Sequence, residues 1–200
     1  MATAVIYDLE FTAWEGSMRH RWLRPGEFKE IVQIGAVKLD AVSLAVLDTF
    51  SAFVRPRINP VLSPYLERLT GITTQTLGDE GCDFAQAYGA FLHFTGGAVC
   101  AAAFGRDELV FEENLRLYGL PVPAHAPDYI DLHPWFRASG LETRGLHSCD
   151  IGPKLGVPLD GHAHNALADS LSLAAGMRVL VARGAANLFA PEGPAAKTAA

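Results

Sequence analysis

The chain has 200 residues, and half of them are hydrophobic. A chain of this length and composition can bury one sizeable core, which excludes an intrinsically disordered protein and a small scaffold held together by disulfides or metals. The formal net charge of −6 argues against a protein that binds nucleic acid through a basic surface alone, although a cluster of acids that binds cations would account for part of this charge.

The N-terminal residues lack the basic and apolar regions that begin a secretory signal peptide. No apolar run approaches the ~18–20 residues of a membrane-spanning helix, so we expect no membrane partner. The three cysteines, Cys82, Cys100 and Cys149, are odd in number and widely spaced, which indicates neither a disulfide framework nor a CxxC site. These features predict a cytoplasmic protein with reduced thiols.

The first part of the chain predicts three β-strands in quick succession. Apolar and β-branched residues favour strands over residues 4–10, 31–37 and 45–54. The segment 12–29 between the first two strands contains glycine, proline and several charges, which is typical of an exposed loop. Three consecutive strands predict an antiparallel meander.

Helices and strands alternate in the rest of the chain. Ser63 before Pro64 is a typical helix start, and Gly71 is expected to end that helix. The further predicted elements are, in order, a helix at 83–94, a strand at 98–104, a helix at 107–118, a strand at 129–132, and helices at 147–155 and 166–182. This order predicts an α/β fold with a mixed five-stranded sheet flanked by helices on both faces. We expect one domain over residues 1–188 and a disordered tail, rich in alanine, proline and glycine, over 189–200.

Two acids, Asp8 and Glu10, end the otherwise apolar first strand. Side chains two residues apart on a strand lie on the same face of the sheet. Two buried carboxylates without partners would be costly, so this pair is a first candidate for a functional site. The alternative is that the strand simply ends here and both acids are solvated.

A further acid lies at the start of the predicted last helix. Asp169 has core-like alanine and leucine neighbours, and His164 precedes it by five residues. At ~100° per residue, five helical steps carry a side chain well off the Asp169 face. If both residues serve one site, His164 must therefore lie on the loop that enters the helix, where Gly161 favours a loop. The alternative is that Asp169 pairs with an arginine and the histidine is an ordinary loop residue.

A third acidic segment, Gly105-Arg106-Asp107-Glu108, follows the predicted fourth strand. Acids at the start of a helix are favoured by the helix dipole. On its own, Asp107 is therefore equally well explained as a helix cap.

Taken in chain order, these segments resemble the motifs of the DEDDh branch of the DnaQ-like 3′–5′ exonucleases. The resemblance spans residues 4–182, and its segments are 8–12 (DLEFT), 30–37 (EIVQIGAV), 69–73 (LTGIT), 105–107 (GRD) and 164–169 (HNALAD). In many relatives a tryptophan precedes the glycine of the fourth segment and the acid lies three residues after that glycine. Here Phe104 precedes Gly105, and Asp107 lies two residues after it. The resemblance assigns the third carboxylate to Asp107, with Glu108 as the alternative.

The resemblance implies a ribonuclease-H-like fold and a site for two divalent cations, Mg²⁺ or Mn²⁺. Such cations prefer carboxylate oxygens, and a pair of them can activate water and neutralise charge in phosphodiester hydrolysis. By the same resemblance, Asp8 is a ligand of both cations. Glu10 and Asp169 are the further ligands of one cation, and Asp107 is a ligand of the other. His164 is implied to take the proton from the attacking water, a role that suits a group titrating near neutral pH.

The implied substrate is the 3′ end of single-stranded RNA or DNA, released as nucleoside 5′-monophosphates. Relatives contact the terminal nucleotide beside the first motif, which assigns Phe11 and Thr12 to substrate binding and places Phe104 at the border of the pocket. Phe11 is equally well explained by core packing. The arginines and aromatic residues within 19–24 predict either a surface that guides the strand or a solvated loop.

Other functions stay open at this point. One is a proofreading or repair subunit that works beside a polymerase, and another is a nucleic-acid-binding module on an inactive scaffold. The presence of all four acids and the histidine argues against the second. A Rossmann-type oxidoreductase is disfavoured because no GxGxxG follows the first strand. Relatives occur as monomers and dimers, so a homodimer is a further expectation.

Overall fold

A mixed sheet lies at the centre of the computed structural model, which describes residues 1–190. Its strands are β1 (Thr3–Phe11), β2 (Ile31–Asp40), β3 (Val46–Phe53), β4 (Ala98–Ala103) and β5 (Tyr129–Asp131). The spatial order is β3-β2-β1-β4-β5, with β1, β2 and β3 antiparallel and with β4 and β5 parallel to β1. The predicted meander and the mixed five-stranded sheet are confirmed.

Eight helices surround this sheet within the described residues: α1 (Ser17–His20), α2 (Pro64–Thr70), α3 (Thr74–Glu80), α4 (Phe84–Thr95), α5 (Glu108–Leu117), α6 (His133–Ala138), α7 (Ser148–Lys154) and α8 (Ala166–Ala182). Helix α2 begins as predicted, because the Ser63 hydroxyl accepts the Leu66 N–H at 3.0 Å. The sequence prediction lacks α1, α3 and α6, which have four, seven and six residues. Helices this short carry too few turns for an apolar period to be recognised. Within residues 1–190, no helix is long and apolar enough to span a bilayer.

The two faces of β1 pack against different helices. Ala4 and Ile6 face a core that contains Ile151 of α7 and Leu173 of α8. Val5 and Tyr7 face the opposite core, built largely from aromatic residues of α4 and α5. Because side chains alternate along a strand, Asp8 and Glu10 continue the first of these two faces, the one covered by α7 and α8.

The packed chain continues beyond the predicted domain boundary at residue 188. Phe189, which the sequence places in the tail, is buried in the core beside α8. Placing Phe189 in a disordered tail is therefore wrong, since its ring packs as a core residue. Residues 191–200 of the predicted tail lie outside the described residues.

Helix α8 contacts β2 directly through the backbone. A Cβ added at Gly35 would lie 2.2 Å from the backbone carbon of Ala166 and 2.2 Å from the nitrogen of Leu167. The side-chain oxygen of Gln33 accepts the Ala166 N–H at 3.0 Å, and the Ser170 hydroxyl donates to the Gly35 carbonyl at 3.1 Å. These contacts fix the first turn of α8 against the centre of the sheet.

Gly35→Ala is expected to lower the free energy of unfolding by ~1–3 kcal/mol, the usual cost of inserting a methyl group into a packed interior. The first turn of α8 must move to admit the methyl group, so nuclease activity should fall as well. Urea unfolding monitored by circular dichroism measures the first effect. Gly78→Ala in α3 is the control, because a Cβ there meets no atom within 4 Å and should leave the protein as stable or more stable. Equal stability of Gly35→Ala and the parent would show that α8 does not need this close approach.

Candidate active site

A cavity of about 510 Å³ lies where β1 and β4 end. Both strands run in the same direction, so their carboxyl ends meet at one edge of the sheet. The loop that follows β1, the start of α7 and the start of α8 complete its wall. The polar residues that line it are Asp8, Glu10, Ser17, Tyr65, Asp107, His133, His147, Ser148, His164 and Asp169.

Three carboxylates converge in this cavity from the two ends of the chain. Asp8 and Glu10 lie on β1, and each is only 8% exposed. Asp169 lies in the first turn of α8 and is 2% exposed. One carboxylate oxygen of each residue lies within 4.8 Å of the others. The explanation that these acids are solvated surface residues, or that Asp169 pairs with an arginine, is therefore wrong.

Burial and mutual repulsion keep these acids poorly ionised in the absence of a cation. Burial raises the pKa of Asp8 to about 7, against the opposing effect of the hydrogen bond from Ser148. Burial and the neighbouring Asp8 raise the pKa of Asp169 to about 8. Burial, followed by repulsion from Asp8, Asp169 and Asp107, raises the pKa of Glu10 well above its ordinary value. A divalent cation among these groups would remove the repulsion.

Asp169 also has an orphaned oxygen. Its Oδ1 atom is buried and has no hydrogen-bond partner among residues 1–190. A buried acceptor without a partner carries its full desolvation penalty. A hard cation bound by carboxylate oxygens would supply the missing partner, so the residues present fit an Mg²⁺ or Mn²⁺ site.

The structure brings Asp107, and not Glu108, into the cavity. Asp107 stands at the start of α5, but its side chain makes no capping hydrogen bond. It lines the cavity, and burial together with the nearby Asp8 raises its pKa well above its ordinary value. Glu108 instead forms an ion pair with Arg106. The capping explanation for Asp107 is therefore wrong.

His164 lies on the segment before α8, as the sequence predicts if His164 and Asp169 serve one site. Asn165 caps α8 by accepting the N–H groups of Leu167 and Ala168, so His164 stands outside the helix. Its backbone is left-handed, with φ of 59°, and its half-buried ring faces the cavity. The His147 ring lies 5.3 Å away, centroid to centroid, in an edge-to-face arrangement. Burial, together with the charge of His147, lowers the pKa of His164, so its imidazole is neutral at neutral pH.

Aromatic side chains stand on two sides of the carboxylates. Phe11 packs edge-to-face with Trp22 at 5.5 Å, and the Lys29 ammonium lies 4.7 Å from the Trp22 ring centroid. On the other side Phe104 stacks on the His133 ring at 3.8 Å. All of these rings line the cavity. Phe11 is thus a half-buried residue that lines the cavity and also packs against the core beside α4 and α5.

Thr12 does not reach the cavity. Its hydroxyl donates to the Phe28 carbonyl at 2.5 Å and accepts the Glu30 N–H at 2.9 Å, and the residue is 2% exposed. The expectation that the Thr12 side chain binds substrate is therefore wrong. The physical reason is that Thr12 lies beyond the end of β1, where its hydroxyl is held by the backbone of Phe28 and Glu30.

Residues 19–24 divide into two surfaces. Trp22 lines the cavity, and its indole N–H donates to the Thr12 carbonyl at 2.8 Å. Arg19, Arg21 and Arg24 are exposed. The sequence offered a strand-guiding surface or a solvated loop, and the structure places the aromatic residue at the cavity and the cations in solvent.

Ser148 is a site residue that the sequence analysis does not contain. Its hydroxyl donates to Asp8 Oδ1 at 2.7 Å across a separation of 140 residues. It opens α7, beside His147, and both residues line the cavity. No local pattern marks a serine whose only notable partner lies this far away in the chain.

The RNase_T family model, described as an exonuclease, matches residues 5–176. The chain belongs to the RNase_T exonuclease family. This membership confirms the DnaQ-like resemblance drawn from the motifs.

Known relatives agree with this RNase_T assignment. The 3′-5′ exoribonuclease 1 of Rattus norvegicus is 29% identical over 180 residues, which cover 84% of this chain and 50% of the relative. The solved nuclease domain of 3′hExo, described as a DEDDh family member bound to rAMP, is 25% identical, with a TM-score of 0.76 over 92% of this chain and 93% of that one. Cell-death related nuclease 4 shares the fold at 21% identity, with a TM-score of 0.74 over 92% of this chain and 65% of that one. The chain spans about half the length of the curated relatives it matches.

Proposed function

We propose that this chain is a metal-dependent 3′–5′ exonuclease that releases nucleoside 5′-monophosphates from single-stranded ends of RNA or DNA. The observation that carries the proposal is the convergence of Asp8, Glu10, Asp107 and Asp169 with His164 in one cavity. The orphaned Asp169 oxygen and the family membership support it.

RNA is the preferred substrate in this proposal. The curated relatives are named exoribonucleases, and the 3′hExo nuclease domain is described as bound to rAMP. A cytoplasmic location and a homodimer stay predictions. Cell fractionation tests the first, and the solution mass of the purified protein tests the second.

In the proposed site, Asp8, Glu10 and Asp169 hold divalent cations, and Asp107 contributes from the start of α5. Cations bound by such carboxylates neutralise charge on the attacking and leaving oxygens of a phosphodiester and lower the pKa of water. Ser148 orients Asp8, because its hydroxyl donates to one oxygen of that carboxylate. Asp8, Glu10 and Asp169 are buried, which strengthens these charge interactions.

His164 accepts the proton of the attacking water in this proposal. A general base must be unprotonated before the reaction, and the lowered pKa of His164 meets this condition at neutral pH. Its position on the segment before α8 lets the ring face the cavity. The Phe11–Trp22 pair and the Phe104–His133 pair offer ring faces to the terminal bases, and such contacts are worth ~1–3 kcal/mol per base.

Incubation with 5′-labelled single-stranded RNA and DNA of one sequence tests the proposal. With Mg²⁺ or Mn²⁺ the label should appear in a ladder that shortens from the 3′ end, faster for RNA. EDTA should abolish the ladder because the carboxylate cluster then has no cation. A 3′-phosphate should protect the oligomer. Hydrolysis in EDTA, or release of the 5′ label as a mononucleotide in the first turnover, would contradict the proposal.

Asp107→Ala is expected to lower kcat by more than the ~10–100-fold typical of losing a group that only supports a metal ligand. Glu108→Ala is the matched control and should change kcat little, because Glu108 pairs with Arg106 outside the cavity. Steady-state kinetics on one RNA oligomer compares the two variants. A larger loss in Glu108→Ala would move the third carboxylate of the site to residue 108.

A further inference from the structure

Asp169 belongs to a second group of ligand-type side chains. The Cys149 sulfur, a ring nitrogen of His164 and a carboxylate oxygen of Asp169 lie within 4.8 Å of one another. Cys149 lies in α7, and Asp169 lies in the first turn of α8. The two helices are tied together because the Ser172 hydroxyl donates to the Cys149 carbonyl at 3.1 Å and accepts the Gly152 N–H at 2.9 Å.

This group differs chemically from the cluster of carboxylates. Asp8 and Glu10 offer only oxygen, which suits Mg²⁺ and Mn²⁺, whereas Cys149 and His164 add sulfur and nitrogen. Zn²⁺ takes a thiolate at ~2.3 Å and an imidazole at ~2.0–2.1 Å, and accepts three protein ligands with one open position. The unpartnered oxygen of Asp169 shows that this carboxylate can accept a further partner, which either cation would supply.

We propose that Cys149, His164 and Asp169 form a binding site for Zn²⁺, or a similar thiophilic cation, whose occupancy inhibits the nuclease. Bond formation to sulfur displaces the thiol proton of Cys149 to solvent, and no electron is transferred. Tetrahedral bonds of these lengths separate the ligand atoms by about 3.4–3.6 Å, so atoms within 4.8 Å of one another must close by up to about 1.4 Å. His164 can supply that movement because it stands on the segment before α8.

Inhibition would follow because His164 and Asp169 belong to both the Zn²⁺ site and the proposed nuclease site. This part of the inference rests on the proposed function. A ring nitrogen of His164 bound to Zn²⁺ can no longer accept a proton from water. Asp169 is withdrawn from the cluster that holds the catalytic cations. The two sites therefore compete for one carboxylate, so a high Mg²⁺ concentration opposes Zn²⁺.

The binding itself is tested without any activity, with Co²⁺ alone as the probe. Co²⁺ bound to a thiolate gives a sulfur-to-metal charge-transfer band in the near ultraviolet, which Co²⁺ bound to oxygen lacks. We expect the band in the parent protein and in Asp8→Asn, and we expect its loss in Cys149→Ser. Cys82→Ser is the matched control and should keep the band, because Cys82 instead contacts the Phe53 carbonyl at 3.5 Å, beside β3.

The inhibition is tested by titrating Zn²⁺ into the nuclease assay at fixed Mg²⁺. Cys149→Ser should raise the half-inhibitory Zn²⁺ concentration at least about tenfold, which corresponds to ~1.4 kcal/mol of binding free energy, while Cys82→Ser leaves it unchanged. Equal inhibition of Cys149→Ser and the parent would overturn the proposal. Absence of the Co²⁺ band in the parent protein would overturn it as well, even if Cys149→Ser fails to fold. A band in a protein that shows no Mg²⁺-dependent hydrolysis would support the thiolate site and contradict the nuclease function instead.

Discussion

Asp8→Asn is expected to abolish nuclease activity and, in the same protein, to raise thermal stability in EDTA. Activity is lost because Asp8 stands between the other carboxylates, so its removal weakens every cation position of the proposed site. Asparagine keeps the shape of the side chain and can still accept the hydroxyl of Ser148. Stability rises because one of the mutually repelling buried carboxylates is gone, and each kcal/mol gained raises Tm by about 2–4 °C in a domain of this size.

The stability effect depends on pH in a definite direction. The pKa of Asp8 rises from 3.8 to about 7 on folding, and that of Asp169 rises from 3.8 to about 8. For an acid whose pKa is raised, the stability that protonation provides is fully present below the unfolded value and is lost as the pH rises through the folded value. The metal-free protein should therefore have a Tm that falls as the pH is raised from about 4 to about 8.

Thermal unfolding across this pH range, with EDTA or with excess Mg²⁺, measures the effect. Mg²⁺ should reduce the fall in Tm, because the bound cation compensates the ionised carboxylates. In EDTA, the Tm of Asp8→Asn should also fall less with rising pH than the Tm of the parent protein. Asp79→Asn, an exposed acid in α3, is the control and should keep both the activity and the pH dependence of the parent. Activity of Asp8→Asn within tenfold of the parent would refute the central role of Asp8.

The second large effect is expected from His164. His164→Ala should lower kcat by ~10²–10⁴, the usual contribution of a general base. Because His164 has a left-handed backbone, His164→Asn is the better matched variant: asparagine tolerates that conformation but cannot act as a base near neutral pH. Both variants should still bind Mn²⁺, since the carboxylates are intact.

The pH–rate profile separates a base from a structural residue. The acidic limb of the parent profile should fall at a pH below the ordinary histidine range, because burial lowers the pKa of His164. That limb should flatten in His164→Asn. His162→Ala is the control, since His162 is exposed and its ring nitrogen contacts the Ala163 carbonyl of its own loop. A crippled His162→Ala beside an active His164→Ala would overturn the assignment. The double variant of Asp8 and His164 should be little worse than Asp8→Asn alone, because both residues serve one step.

Local patterns predict the parts of this fold whose causes are local. Helix α8 has the predicted bounds because Asn165 caps its start and apolar residues follow at helical spacing. Asp8 and Glu10 fall on one face because strand alternation has a period of two, and the apolar residues before them show which face is buried. The helical repeat places His164 off the helix once His164 and Asp169 are taken to serve one site.

Contacts between distant segments are not visible in such patterns. The Ser148–Asp8 hydrogen bond joins residues 140 positions apart, and a serine is too common to signal it. Thr12 ends the first motif, yet its hydroxyl bonds to the backbone of Phe28 and Glu30 and its side chain does not line the cavity. The motif also left Asp107 and Glu108 open, because only the direction in which α5 leaves the sheet decides which carboxylate faces Asp8. The family resemblance identified the motifs in chain order, and the tertiary structure shows that Asp107 rather than Glu108 lines the cavity.

The cavity wall joins β1, the first strand of the chain, to α8, its last described helix. During synthesis Asp8 and Glu10 leave the ribosome before Asp169, which follows only after most of the domain. Domains generally fold as units once their closing element is available. A nascent chain therefore holds an incomplete set of carboxylates until α8 has docked at Gly35, and under the proposed function the ribosomal and messenger RNA around it meets no active nuclease while translation of this domain is in progress.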